Sequence, residues 1–207
     1  METEKITIFD EQMCHLGVKT RQEAHAQGYW HETFHCWFFK QDADTTYLLF
    51  QRRALQKKDF PGLLDITSAG HLLSGEKVKQ GTREIKEELG IDLPYEDLQP
   101  IGIIKEEIIV DHFIDREFCH TYLYHCDLPI DSFILQADEV AGIIQIEIND
   151  FSLLLDDKIA TVRGSGYIVE TDGVKSFVDT DYNRDDFCPH SKQYFLKLIG
   201  ALSELSK

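Results

Sequence analysis

Apolar and polar positions alternate through much of this chain with the two-residue period of strands, and one glutamate-rich stretch replaces that rhythm with a helical one. From position 34 the sequence reads FHCWFFKQDADTTYLLFQRRA. An aromatic-rich run, a polar turn over 41–45 and a second apolar run ending in Arg52 and Arg53 predict a β-hairpin. A loop over 57–61 follows, and LLDITSAG predicts one short strand that breaks at Gly70. Between 78 and 89, Val78, Ile85 and Leu89 recur at helical spacing and Gly90 supplies a stop signal. LQPIGIIKEEIIV and EFCHTYLYHCDL predict two strands joined by a polar turn, and GIIQIEIND alternates strongly enough to be another. DFSLLLDD predicts a short helix entered through Asp150 as its cap. The tail predicts short strands near 167–169 and 175–178, then a helix over about 191–205. Strands and helices are intermixed, so the class is α/β or α+β.

The length of 207 residues suits one domain with a substantial core. Apolar residues at 43% and charged residues at 28% are ordinary for a globular chain, which argues against global disorder. Charge changes the picture more. With 21 basic against 37 acidic side chains the formal net charge is −16, a field that repels nucleic acid and anionic membranes. A polyanionic substrate would need local positive charge, and clustered carboxylates obtain it by binding divalent metal. The five cysteines, Cys14, Cys36, Cys119, Cys126 and Cys188, include no CxxC pair, so neither a disulfide framework nor a zinc finger is indicated. The N-terminus shows no leader pattern and no stretch reaches membrane-spanning length, so a cytoplasmic protein is expected.

The helical stretch carries the chemistry. Glu84, Glu87 and Glu88 stand at i, i+3 and i+4, so their carboxylates share one face and repel one another unless a cation joins them. Hard oxygen ligands of this kind suit Mg²⁺ or Mn²⁺. Arg83 stands one turn before Glu87 and is placed to orient it, while Gly70 lets the backbone approach the same cation and offer its carbonyl. Gly70, Glu76, Arg83, Glu84, Glu87, Glu88, Gly90 and Ile91 together resemble the Nudix box, with six residues instead of the family's seven between Glu76 and Arg83. The alternative, a solvated glutamate-rich face, explains neither the arginine nor the two glycines. The resemblance covers about residues 30–155, leaving 1–29 and 158–207 as extensions of a single Nudix domain, the second with a terminal helix. It implies an α/β/α sandwich around a mixed sheet and hydrolysis of a diphosphate linked to another group, typically in a nucleoside diphosphate derivative. Metal would be held by Glu84, Glu87, Glu88 and Gly70, with a glutamate as base, Glu87 or one outside the box. A homodimer is expected by fold-level analogy alone.

A second resemblance lies outside the box. HAQGYWHETFHCWFF and DREFCHTYLY are similar to type I isopentenyl diphosphate isomerase, which shares the fold. It implies a further metal held by His25, His31, His71, Asp115 and Glu117, with Glu117 also a candidate base. The isomerase requires a cysteine just before the box glycine, and this chain has Ala69 there while retaining the glutamates the isomerase box loses. Hydrolase is therefore the expected activity, and isomerase and a non-catalytic nucleotide-binding module are the alternatives. Arg52 and Arg53 end a strand near the expected phosphate site, where either could bind substrate. Asp138 and Glu139 precede a strand and read as solvated carboxylates or as a base outside the box.

Overall fold

The computed structural model describes residues 3–110, 113–170 and 172–205. The first elements are ones that pattern alone does not assign: β1 (Lys5–Phe9), β2 (His15–Thr20) and α1 (Arg21–Gln27). A capping box starts α1: Thr20 Oγ1 accepts from the Glu23 N–H (3.2 Å), and the Glu23 carboxylate accepts from the Thr20 N–H (3.0 Å). β3 (Trp30–Asp42) and β4 (Thr45–Arg53) form the predicted hairpin. LLDITSAG is two strands, not one, β5 (Leu64–Asp65) on β4 and β6 (Ser68–His71) on β3. Thr67 stands between them at the fork where β4 leaves β3: its hydroxyl accepts from the Phe38 N–H (2.9 Å) and donates to the Leu49 carbonyl.

The predicted 78–89 helix is a 3₁₀ turn over Val78–Gly81 followed by α2 (Thr82–Leu89). β7 (Gln99–Val110) and β8 (Phe113–His125) match the two apolar runs, and the turn expected between them lies outside the described residues. After β9 (Val140–Glu147), α3 (Ile148–Leu155) begins earlier than expected: Asp150 lies in its first turn and Glu147 is the cap, with no side-chain cap bond. β10 (Val162–Val169) and β11 (Lys175–Tyr182) pair along their full length, beyond the expected spans because Gly164 and Gly166 hide the alternation. The terminal helix is α4 (Lys192–Leu205).

Among the described residues the strands join in one mixed sheet whose spine is β3. One edge of β3 pairs in turn with β1, β6 and β4, all antiparallel, and the other runs parallel to β8. Both faces are covered, and the two-residue period divides its side chains between two cores. Trp37 and Phe39 join Leu48, Phe50, Ile144 and Ile146 beneath α3 and α4, represented by Phe151, Tyr194, Phe195 and Leu198. Phe34, Cys36 and Phe38 join Leu49, Ile143 and the α2 residues Ile85 and Leu89 on the other side. This is the α/β/α sandwich the sequence implied. No helix among the described residues is long and apolar enough to cross a membrane.

Candidate active site

With Ile85 and Leu89 fully buried, α2 turns its carboxylates to a cavity of about 370 Å³ lined by Gly70, Glu84, Glu87 and Glu88. Arg83 organises this wall. It forks Glu76 (Nε to Oε1 2.8 Å, Nη2 to Oε2 3.2 Å), donates to the His71 carbonyl (3.0 Å) and pairs with Glu84 (2.7 Å) and Glu87 (3.3 Å). The spacer after Glu76 contains the 3₁₀ turn, and Glu76 lies within 2.8 Å of Arg83. Glu88 accepts from the Ala69 N–H at 3.1 Å, while the Glu87 carboxylate sits at the rim, about half exposed. A Cβ on Gly70 would collide with the Glu84 carboxylate, so glycine here leaves room for that carboxylate against β6. Burial, with Glu87 adding and Arg83 opposing, pushes the Glu84 carboxyl up to about 7; burial and the Glu84 charge push Glu88 up to about 8.

Four elements bring together a second ligand set, of which His71 and Asp115 line the same cavity and His25 and His31 are buried against them. His25 from α1, His31 from β3, His71 from the end of β6 and Asp115 from β8 present ligand atoms within 4.8 Å of one another. Asp115 Oδ1 lies 3.4 Å from His25 Nε2 and 3.3 Å from His31 Nε2, and the Nε2 atoms of His25 and His71 are 3.3 Å apart. The His31 Nδ1–H donates to the Tyr29 carbonyl (3.1 Å), which fixes the ring and turns Nε2 inward. His31 Nε2 and Asp115 Oδ1 are buried polar atoms with no hydrogen-bond partner. Burial and the neighbouring Arg21 and His31 charges hold His71 well below the usual imidazole range, leaving it neutral and able to ligate. Three imidazoles and a carboxylate suit Mn²⁺, Zn²⁺ or a similar divalent ion. Glu117, expected in this set, stands beside it: Oε1 is 4.0 Å from His31 Nε2, and Oε2 faces His35 Nε2 at 3.3 Å.

The cavity's cations are already engaged. Arg53 pairs with Asp65 (2.8 Å) and donates to the Asp59 carbonyl (3.0 and 3.2 Å), Lys57 pairs with Glu139, and Arg21 lies 3.8 Å from Asp59. Of the two arginines expected near phosphate, Arg53 lines the cavity wall and Arg52 does not. Asp138 and Glu139 both line the wall. Pattern reading missed Arg21, Asp65 and His190. His190, from the segment before α4, bonds Asp65 through Nε2 at 2.9 Å, and nothing in the local sequence announces it. His35 carries a signal, since it follows His31 and Thr33 at the strand period and so shares their face.

Comparison with known proteins agrees with this geometry. The NUDIX domain family pattern matches residues 29–162. An uncharacterised Nudix hydrolase of Clostridium acetobutylicum is 46% identical over 204 residues, 99% of each chain. Nudix hydrolase 3 of Arabidopsis thaliana is 33% identical over 138 residues, 64% of this chain and 18% of that one. An isopentenyl-diphosphate Delta-isomerase of Salmonella arizonae is 30% identical over 120 residues, 52% of this chain and 64% of that one. Among solved structures, DR0079 of Deinococcus radiodurans superposes with a TM-score of 0.55 at 18% identity, over 75% of this chain and 89% of that one, a likeness of fold. With the box helix, its arginine fork and the near full-length relative in agreement, the chain belongs to the Nudix hydrolase family.

Proposed function

We propose that this protein is a divalent-metal-dependent hydrolase of a diphosphate joined to another group, such as a nucleoside diphosphate derivative. One observation carries the reading: the box glutamates share one cavity wall with His71 and Asp115, two members of a softer ligand set completed by buried His25 and His31, and the arginines and lysine of that wall are already paired with acids. An anionic substrate therefore enters with cations or not at all. Glu84, Glu87, Glu88 and Gly70 would hold Mg²⁺ or Mn²⁺, and His25, His31, His71 and Asp115 a second ion. When bound, such ions neutralise the diphosphate oxygens and lower the pKa of a coordinated water.

The chain's own groups do the rest. Glu117 Oε1 is the candidate to accept that water's proton, and rim-exposed Glu87 is the second candidate. Arg83 holds Glu76, Glu84 and Glu87 in register through its fork, and Arg53, its guanidinium held by Asp65 and the Asp59 carbonyl, adds positive charge to the wall that a phosphate would approach. Ala69 lines the cavity where the isomerase chemistry needs a thiol, which favours hydrolysis over isomerisation. We further place the protein in the cytoplasm, as a homodimer.

The test is release of the phosphorylated products of diphosphate cleavage, resolved by chromatography, from a panel of nucleoside diphosphates, their conjugates and isopentenyl diphosphate, with Mg²⁺, Mn²⁺ or chelator. Metal-dependent release supports the reading. Binding of a nucleotide with no turnover under any metal would make the protein a binding module, and incorporation of solvent deuterium into isopentenyl diphosphate would make it an isomerase.

A further inference from the structure

A hydrogen-bonded chain connects the C-terminal helix to Glu117. At its far end the Trp37 indole Nε1–H donates to the Tyr194 hydroxyl at 2.9 Å. Indole has no acceptor, so this direction is fixed. The same hydroxyl lies 2.9 Å from His35 Nδ1. Having accepted from Trp37, it must place its own hydrogen, and in a site where Trp37 and Tyr194 are fully buried His35 Nδ1 is the acceptor at hand. A hydrogen on Nδ1 instead would make the hydroxyl accept twice and leave its own hydrogen with no acceptor in this pair of contacts. His35 Nδ1 therefore accepts, and Nε2 carries the ring proton. That Nε2 lies 3.3 Å from Glu117 Oε2, which also accepts from the Cys119 thiol at 3.4 Å. With Oε2 taken by two donors, Oε1 is the oxygen left facing the histidine cluster, 4.0 Å from His31 Nε2.

We propose that Tyr194 is a positioning residue that sets the tautomer of His35, and that His35 in turn aims Glu117 Oε1 into the site. The device spans the fold. His35 and Trp37 come from β3, Glu117 from β8, and Tyr194 from α4, beyond the residues 29–162 that match the family pattern. Strand periodicity makes it possible, since His31, Thr33, His35 and Trp37 share the β3 face on which α4 packs. The C-terminal extension thus takes part in the site through two intervening bonds.

The inference rests on the reading of Glu117 as a working carboxylate, and its test has an arm independent of that reading. In metal-free protein carrying ¹⁵N-histidine, long-range ¹H–¹⁵N correlation should show His35 protonated at Nε2, and Tyr194→Phe should convert it to the Nδ1–H form or a mixture. In turnover, Tyr194→Phe should lower kcat roughly 10- to 100-fold with KM nearly unchanged, the range seen when a group orienting a metal-site residue is lost. A double-mutant cycle separates positioning from packing. His35→Gln retains an amide N–H near the Nε2 position that needs no partner at Tyr194, so Tyr194→Phe should cost nothing further in that background. An Nδ1–H tautomer in the wild type overturns the proposal. So does a Tyr194→Phe loss of equal size in both backgrounds, which would mark a packing role. If the wild type hydrolyses no diphosphate, the functional reading fails, while the tautomer measurement still decides whether Tyr194 controls His35.

Discussion

Glu88 shows how one residue can be both a liability and a tool. It is 6% exposed, accepts a backbone N–H from Ala69 and faces the charge of Glu84, so without metal it holds a proton at neutral pH. Both Glu84 and Glu88 bind protons more tightly folded than unfolded. Between the ordinary carboxylate range and about pH 8 the folded state therefore carries more protons, and the metal-free protein loses stability as pH rises through that interval. Denaturant midpoints at about pH 5 and about pH 8 should show this fall, and Mg²⁺ or Mn²⁺ should offset it by binding the folded state. Glu88→Gln should flatten the pH dependence and preserve folding, because the amide oxygen can still accept from Ala69. The same change should reduce turnover by at least about 100-fold. Full activity in that variant would move the metal elsewhere. The box residues were legible because their repulsion at i, i+3 and i+4 makes no sense without a cation. His190 and Asp65 were not, since 125 positions separate two residues that meet only after the tail folds back.

At the scale of elements, the site depends on how closely α2 approaches β6. Gly70 gives way to the Glu84 carboxylate, and the Arg83 fork on Glu76 ties the helix to the loop that precedes it. Gly70→Ala should push the Glu84 carboxylate out of place with little loss of stability, because only the end of a flexible side chain has to move. Isothermal titration with Mn²⁺ should show weaker binding, whereas Gly200→Ala, in α4 with nothing within 4 Å of its Cβ position, should leave metal affinity unchanged. Equal Mn²⁺ affinity in Gly70→Ala would show that the close approach serves packing alone. The long strands were legible from alternation. The division of LLDITSAG was not, because it depends on the Thr67 hydroxyl bridging β3 and β4 across the fork. For α1 the signal was present in Thr20 and Glu23, whose spacing is that of a capping box.

For the molecule as a whole, the C-terminal segment is part of the core. Phe187, Tyr194, Phe195, Leu198 and Leu202 pack with Trp37, Phe50 and Ile144, and β10 pairs with β9 on the same sheet. Thermal unfolding should accordingly be one transition, with calorimetric and van't Hoff enthalpies in agreement. A separate early transition would assign the tail its own stability. The sequence marked that tail only as an extension, because its apolar residues have the ordinary helical period and nothing in them names a partner. The spine strand has a different kind of consequence. Its odd positions supply one core and the site histidines, and its even positions supply the other core. Inserting a single residue within β3 would exchange the two sets, burying the wrong face on both sides and turning His31 or His35 away together. Over evolutionary time this strand should therefore accept substitutions far more readily than insertions or deletions, and length variation among descendants should collect in the loops around it.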